Sequence, residues 1–254
     1  SYERWSVITY QRTIILSLTL FCAPFAEPQE PNAFPYKLRW KYLVPNPLQS
    51  AVAEGDSLYF VASTEGRLSA LRKSDGVRIW RRRDLGPVWS PPVVWEEQLI
   101  VADAWGLVRS LRADTGDENW SFQRTGGGRC VLVQANNLLY VSAADGWLYA
   151  LEFDGRERWR VRTGKSGALG VTARAGRVYT RSSSGWLSLD SASGRRIFER
   201  DLGALVTTPP SVIDGQLILA TGDGYVRSHV PYDGEPNWRA WLGARLVSPP
   251  VGAG

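Results

Sequence analysis

The sequence predicts an all-β chain built from one repeated unit, and three observations predict it. Large aromatic residues at Trp40, Trp80, Trp120, Trp159, Phe198 and Trp238 recur at intervals of 40, 40, 39, 39 and 40 residues. A glycine stands four residues before each of the last five, at Gly76, Gly116, Gly155, Gly194 and Gly234. Nothing in residues 36–254 shows the i, i+3, i+4 apolar spacing of a long amphipathic helix. A period that survives this many copies marks one supersecondary unit, stacked on itself.

The third copy shows what the unit builds. Cys130 to Val133 is a short apolar run closed by the polar turn Ala135-Asn136-Asn137, and Leu138 to Ser142 is the second run. Ala144-Asp145-Gly146 turns the chain into Trp147–Leu151, and Phe153-Asp154-Gly155 turns it again into Arg158–Val161. Short β-branched and aromatic runs joined by Asp-Gly or Asn-Asn turns are hairpin-connected antiparallel strands. Four such strands per ~40 residues, repeated, is the sequence form of a β-propeller of four-stranded blades.

The prolines agree. Pro91-Pro92, Pro209-Pro210 and Pro249-Pro250 each begin 11 residues after an aromatic, where a blade's innermost strand starts. Proline lacks an N–H, so a sheet tolerates it at an edge or a strand start. The aromatic that ends each blade is expected to fasten it to the next. A buried Trp removes roughly 150–250 Å² from water, which at ~25 cal/mol/Å² is about 4–6 kcal/mol gross. Phe198 keeps a ring without an indole N–H, so a hydrogen bond made by the other rings should be missing there.

Leu111-Arg112-Ala113-Asp114-Thr115-Gly116, leading to Trp120, resembles the tryptophan-docking repeat of quinoprotein-type (PQQ-like) propellers. The same frame recurs at Leu189-Asp190-Ser191-Ala192-Ser193-Gly194 before Phe198, at Ala150-Leu151 and Asp154-Gly155 before Trp159, and at Ala70-Leu71 and Asp75-Gly76 before Trp80. The resemblance covers roughly residues 37–252 and implies two branches: pyrroloquinoline-quinone dehydrogenases, and non-catalytic BamB-like propellers of outer-membrane protein assembly. The enzyme branch implies a vicinal Cys-Cys pair and a calcium-holding Glu/Asn/Asp set. Here the only cysteines are Cys22 and Cys130, and no carboxylates follow calcium-loop spacing. The expectation is therefore the BamB-like branch: no catalysis, no cofactor, and a protein partner in the cell envelope. The alternatives are a fragment of a quinoprotein dehydrogenase, or a ligand- or carbohydrate-binding sensor propeller.

Residues 1–26 are expected to be a signal peptide. Arg4 and Arg12 precede the uncharged apolar stretch 13–26, and a Pro/Glu-rich linker over 27–36 separates it from the propeller at 37–254. As a helix, 14 residues rise only about 21 Å, short of the ~30 Å hydrocarbon core. Cleavage after Ala26, lipidation at Cys22 and a membrane-surface or disordered tail are the competing readings, so the expected location is the periplasm or the outer membrane. Lys37 to Leu43 reads as a fourth strand without its preceding three, and Val247 to Gly252 as a first strand without its following three. With five complete blades between them, the expectation is a fragment of a seven- or eight-bladed propeller. Pairing the two lone strands into a thin sixth blade is the alternative.

The loops that leave each fourth strand share one face with the turns between second and third strands. They carry Arg81, Arg82, Arg83, Arg124, Arg129, Arg160, Arg162, Lys165, Arg200, Arg239 and Arg245, and the turns add Trp105. A basic ring with exposed aromatics suits an acidic protein surface or an anionic polymer, and ordinary solvated arginine is the competing reading. The formal charge of +5 is modest, which does not indicate nucleic-acid binding. His229 is the only histidine, so histidine cannot supply a multi-ligand metal site. Gly126-Gly127-Gly128-Arg129 reads as a loop before it reads as an anion nest, Asp145 and Asp223 as turn formers, and Cys130 as a buried thiol.

Overall fold

The computed structural model describes residues 38–44, 52–164, 170–244 and 246, together with the backbone of two strands, Trp5–Tyr10 and Thr13–Leu16. All regular structure in these residues is strand. Five antiparallel four-stranded sheets follow one another, each in the order of the chain.

With β1 (Trp5–Tyr10), β2 (Thr13–Leu16) and β3 (Lys41–Val44) at the N-terminal end, blade I comprises β4 (Ala53–Glu54), β5 (Leu58–Ala62), β6 (Leu68–Arg72) and β7 (Arg78–Arg82). Blade II comprises β8 (Val93–Trp95), β9 (Gln98–Ala102), β10 (Leu107–Arg112) and β11 (Glu118–Gln123). Blade III comprises β12 (Cys130–Ala135), β13 (Leu138–Ala143), β14 (Trp147–Leu151) and β15 (Glu157–Arg162). Blade IV comprises β16 (Thr172–Arg174), β17 (Arg177–Arg181), β18 (Gly185–Asp190) and β19 (Arg196–Asp201). Blade V comprises β20 (Ser211–Ile213), β21 (Gln216–Ala220), β22 (Tyr225–His229) and β23 (Pro236–Trp241).

The first strands β4, β8, β12, β16 and β20 approach one another in succession, so they form the inner rim around which the blades are arrayed. Pro91-Pro92 and Pro209-Pro210 stand immediately before β8 and β20, where no ladder N–H is required. The second and third strands are the most buried, and hydrophobic layers lie between consecutive blades rather than at one centre. Leu68, Val88, Leu99 and Leu111 fill the seam of blades I and II; Ile100, Val108, Leu139 and Tyr149 fill that of II and III. Tyr140, Leu148, Trp159 and Leu187 fill the seam of III and IV, and Tyr179, Trp186, Leu217 and Leu219 that of IV and V.

The metronomic aromatics sit at these seams. The indole N–H of Trp40, Trp80, Trp120 and Trp159 donates to the backbone carbonyl of Lys73, Ala113, Phe153 and Ser191 respectively, at 2.9, 2.9, 2.9 and 3.0 Å. Each acceptor lies in the turn between the third and fourth strands of the next blade. The ring itself lies across the glycine of that turn: a Cβ built on Gly155, whose φ is +89°, would stand 2.7 Å from Trp120 Cδ2. Glycine is thus needed twice there, for the left-handed backbone and for the space.

At the fifth seam Phe198 lies against Gly234 without a donor, as its chemistry requires, but the bond is not simply lost. Arg200, two residues on, donates to the carbonyls of Asp233 and Gly234 and reaches Glu235. Trp238, on the outer strand of blade V, is 46% exposed and donates within its own blade to Gln216 at 3.1 Å. A register shift recurs at the same place in every blade, between Ala70 and Leu71, Ser110 and Leu111, Ala150 and Leu151, Ser188 and Leu189, and Ser228 and His229. Such a bulge bends the outer strand just before its aromatic residue and re-aims the ring toward the neighbouring blade.

The N-terminal end departs from expectation. The fourth strand expected at Lys37 to Leu43 is β3, and it is not alone: β1 pairs with it antiparallel and β2 pairs with β1. Both added strands fall inside the 1–26 segment read as a leader. The inner edge of β3 carries unpaired backbone groups, and an extended apolar hairpin satisfies them. Cys22, Ala26, the 27–36 linker and the strand expected at Val247 to Gly252, with Pro249-Pro250, lie outside the described residues.

Candidate protein-docking face

The loops from each fourth strand to the next blade and the turns between second and third strands share one end of the blades. The structure divides the basic residues expected on that face into three groups. Arg83 and Arg129 are exposed in loops, whereas Arg81, Arg160, Arg162 and Arg239 are exposed but stand within the fourth strands β7, β15 and β23 rather than in the loops that follow them. Arg82 and Arg200 are half-buried and serve the seams: Arg82 is paired with Asp84 and donates to Gly116 of blade II at 2.9 Å, as Arg200 does to blade V. Arg124 is not on the ring. Its side chain is fully buried and donates to the Gly128 carbonyl of the loop that follows. Lys165 and Arg245 lie outside the described residues.

Trp105 stands at the tip of blade II, 62% exposed, with its ring across Gly86, where a Cβ would meet the indole at 2.8 Å. Aromatic residues that the sequence reading did not single out lie beneath four of the exposed arginines. The Arg129 guanidinium sits 3.8 Å from the ring centre of Trp89, and those of Arg160 and Arg162 sit 5.4 and 5.9 Å from that of Trp147. Arg239 stacks on Tyr225 at 5.3 Å. The signal for these pairs was in the register: Trp147 opens a third strand directly opposite Arg162.

Below Trp105 and Trp147 lies a buried polar network. The Asp103 carboxylate, 1% exposed, accepts the N–H groups of Gly86, Trp105 and Leu107 at 3.0, 3.0 and 3.1 Å. Arg124 Nη2 donates to the carbonyls of Asp103 and Gly128 at 2.9 and 3.2 Å, and Nη1 lies 3.9 Å from Asp145. Asp145 accepts Trp147 N–H at 2.9 Å and the Tyr149 hydroxyl at 3.1 Å, and Tyr149 is 2.7 Å from Thr125 Oγ1. Burial pushes the Tyr149 phenol above its usual range, so it is the neutral donor at physiological pH. Asp145 and Asp223 each accept N–H groups inside their own turns. Cys130 is a buried free thiol whose pKa burial pushes up to about 11.

His229 occupies the position held by Leu71, Leu111, Leu151 and Leu189 in the other blades. It is buried with Nδ1 3.0 Å from the Gly234 carbonyl and its ring edge-on to Trp186 at 5.6 Å. Among the described residues no three His, Cys, Asp or Glu side chains stand close enough to share a metal ion. The opposite face carries an open groove of about 950 Å³ between blades II and III, walled by Trp95 stacked on Phe153 at 4.2 Å.

The sequence profile described as outer membrane protein assembly factor BamB matches residues 36–143 and 144–250. The chain belongs to the BamB family. Within it, BamB of Alkalilimnicola ehrlichii is 30% identical over 177 residues, which are 64% of this chain and 46% of that protein. The crystal structure of BamB from Moraxella catarrhalis superposes with a TM-score of 0.70 at 20% identity, over 82% of this chain and 69% of that one. The quinoprotein alcohol dehydrogenase PedH of Pseudomonas putida is 30% identical over a shorter stretch of 95 residues, 36% of this chain and 16% of that enzyme. The BamB-family chain thus spans less than half the length of either curated relative.

Proposed function

We propose that the chain is a non-catalytic scaffold of the cell envelope that binds a protein partner in outer-membrane protein assembly. The observation that carries this reading is the BamB-family match across both halves of the propeller. The geometry supports it: the stack of blades carries an exposed Trp105 at one end and exposed arginines in its loops and outer strands, residue types enriched in protein interfaces. In this reading residues 1–26 direct export, and their removal releases β1 from β3. The partner is found by cross-linking the full-length protein in envelope fractions. Recovery of outer-membrane assembly components is the expected result; recovery of none overturns the assembly role.

The match to PedH favours a second reading, part of a quinone-dependent dehydrogenase. The residues present do not fit the vicinal cysteine pair and calcium ligands implied for that branch. Cys130 is buried and far in sequence from Cys22, and the described carboxylates form no metal-holding group. Titration with pyrroloquinoline quinone and calcium, read by the quinone's absorbance, tests it; stoichiometric uptake favours the enzyme reading.

A further inference from the structure

The geometry points to one sector of the basic face, around Trp105 between blades I and III, as the docking site, and to an acidic protein segment carrying an apolar side chain as its occupant. This rests on the scaffold reading and names where and with what chemistry it acts. Trp105 offers a flat apolar surface, 62% exposed and held over Gly86. The Gly126 to Gly128 loop packs between the turns of Trp105 and Trp147, a built Cβ on Gly127 meeting the Ala104 carbonyl and one on Gly126 meeting Asp145, and leads to Arg129. Arg129 and Arg162 are exposed and rest on Trp89 and Trp147, while Arg160, inside β15, lies 3.6 Å from Glu157. Guanidinium groups laid on indole rings keep their edges free to take carboxylates. An apolar anchor inside a cationic rim is complementary to an apolar side chain flanked by Asp or Glu.

The second observation lies underneath. Arg124 is wholly buried, yet its Nε and Nη1 have no hydrogen-bond partner, a costly arrangement for a structural residue. In the other blades the corresponding position, directly after the fourth strand or at its end, holds Asp84, Thr163, Leu202 and Leu242. What Arg124 does hold is the loop of Gly128, the carbonyl of Asp103 and the side of Asp145. Those groups fix the backbone of Trp105 and Trp147. The network therefore preorganises this sector, as a binding surface requires.

The test uses the full chain and a synthetic nonapeptide with one central phenylalanine among aspartates and glutamates. Fluorescence anisotropy of labelled peptide gives its affinity. Two further probes are the same peptide with lysines in place of the acids, and vesicles of phosphatidylglycerol. Saturable binding of the acidic peptide is expected, weakened at least tenfold by Trp105→Ala and several-fold by Arg162→Ala, with Arg195→Ala, at the opposite end of blade IV, unchanged. The Arg162→Ala variant should also flatten the salt dependence. Absence of acidic-peptide binding, equal loss in Arg195→Ala, or vesicle binding that alone depends on Trp105 overturns the inference. Circular dichroism identifies any variant that fails to fold, and Trp105→Phe then substitutes for Trp105→Ala with affinity retained. If envelope cross-linking recovers assembly components equally with wild type and Trp105→Ala, the sector is wrong and the scaffold role stands. If wild type recovers none while the peptide binds as described, the sector stands and the assembly role falls.

Discussion

Replacing Gly155 with alanine separates two demands that the seam makes on one residue. Gly155 has φ +89°, and its added Cβ would lie 2.7 Å from Trp120 Cδ2 and 2.8 Å from Cε3. A left-handed backbone costs an L-residue about 1–2 kcal/mol. Displacing a packed ring costs about 1–3 kcal/mol more, and loss of the indole bond to Phe153 about 1 kcal/mol. The total is about 3–6 kcal/mol. Gly176 supplies the control, because its φ is +75° with nothing within 4 Å of a built Cβ. Gly176→Ala should therefore cost only the backbone term of about 1–2 kcal/mol. Urea unfolding followed by circular dichroism measures both; at a slope of about 2 kcal/mol/M, a gap of 2 kcal/mol separates the midpoints by about 1 M. Equal midpoints for the two variants would refute the claim that the ring and the glycine form one joint.

Three other outcomes follow from the same structure. Arg124→Leu strands Asp145 beside a buried apolar side chain and should cost about 3 kcal/mol, more than half of it recovered by adding Asp145→Asn; a double-mutant cycle in urea reads the coupling. His229 has its pKa lowered from 6.5, chiefly by burial, so its contribution to stability is present above pH 6.5 and is lost as pH falls through the folded value; His229→Leu should flatten the midpoint-versus-pH curve in the acid range. Cys130, raised from 9.0 to about 11 by burial, should resist a thiol reagent at pH 8 in native protein carrying Cys22→Ser and react on unfolding; its stabilisation is complete below pH 9 and lost as pH rises through 11.

The periodic part of the fold was legible because every blade repeats the same turn chemistry. Asp-Gly and Asn-Asn turns bounded the strands of blade III to within two residues, and Trp147–Leu151 came out as expected. The recurrent bulge was not legible, since it is set by pairing across strands and leaves no residue signature. Reading the ring of arginines as uniform failed for a related reason. Arg82, Arg124 and Arg129 look alike in sequence, yet one bonds the next blade, one is buried and bonded to a glycine loop, and one lies on Trp89. Arg82 meets Gly116, 34 residues on, and Arg129 meets Trp89 of the preceding blade's entry loop, whereas Arg124 is held both by Asp103 and by Gly128, four residues on. Phe198 gave the correct absence of an indole bond, but not that Arg200 would supply two carbonyl contacts in its place.

The four indole bonds that cross seams run one way: the ring belongs to the earlier sheet and the carbonyl to the later one. A chain that emerges N-terminus first therefore finishes each clamp before the turn it grips has been made. Each later sheet thus meets a ring already present on its predecessor, an order suited to docking blade by blade along the chain.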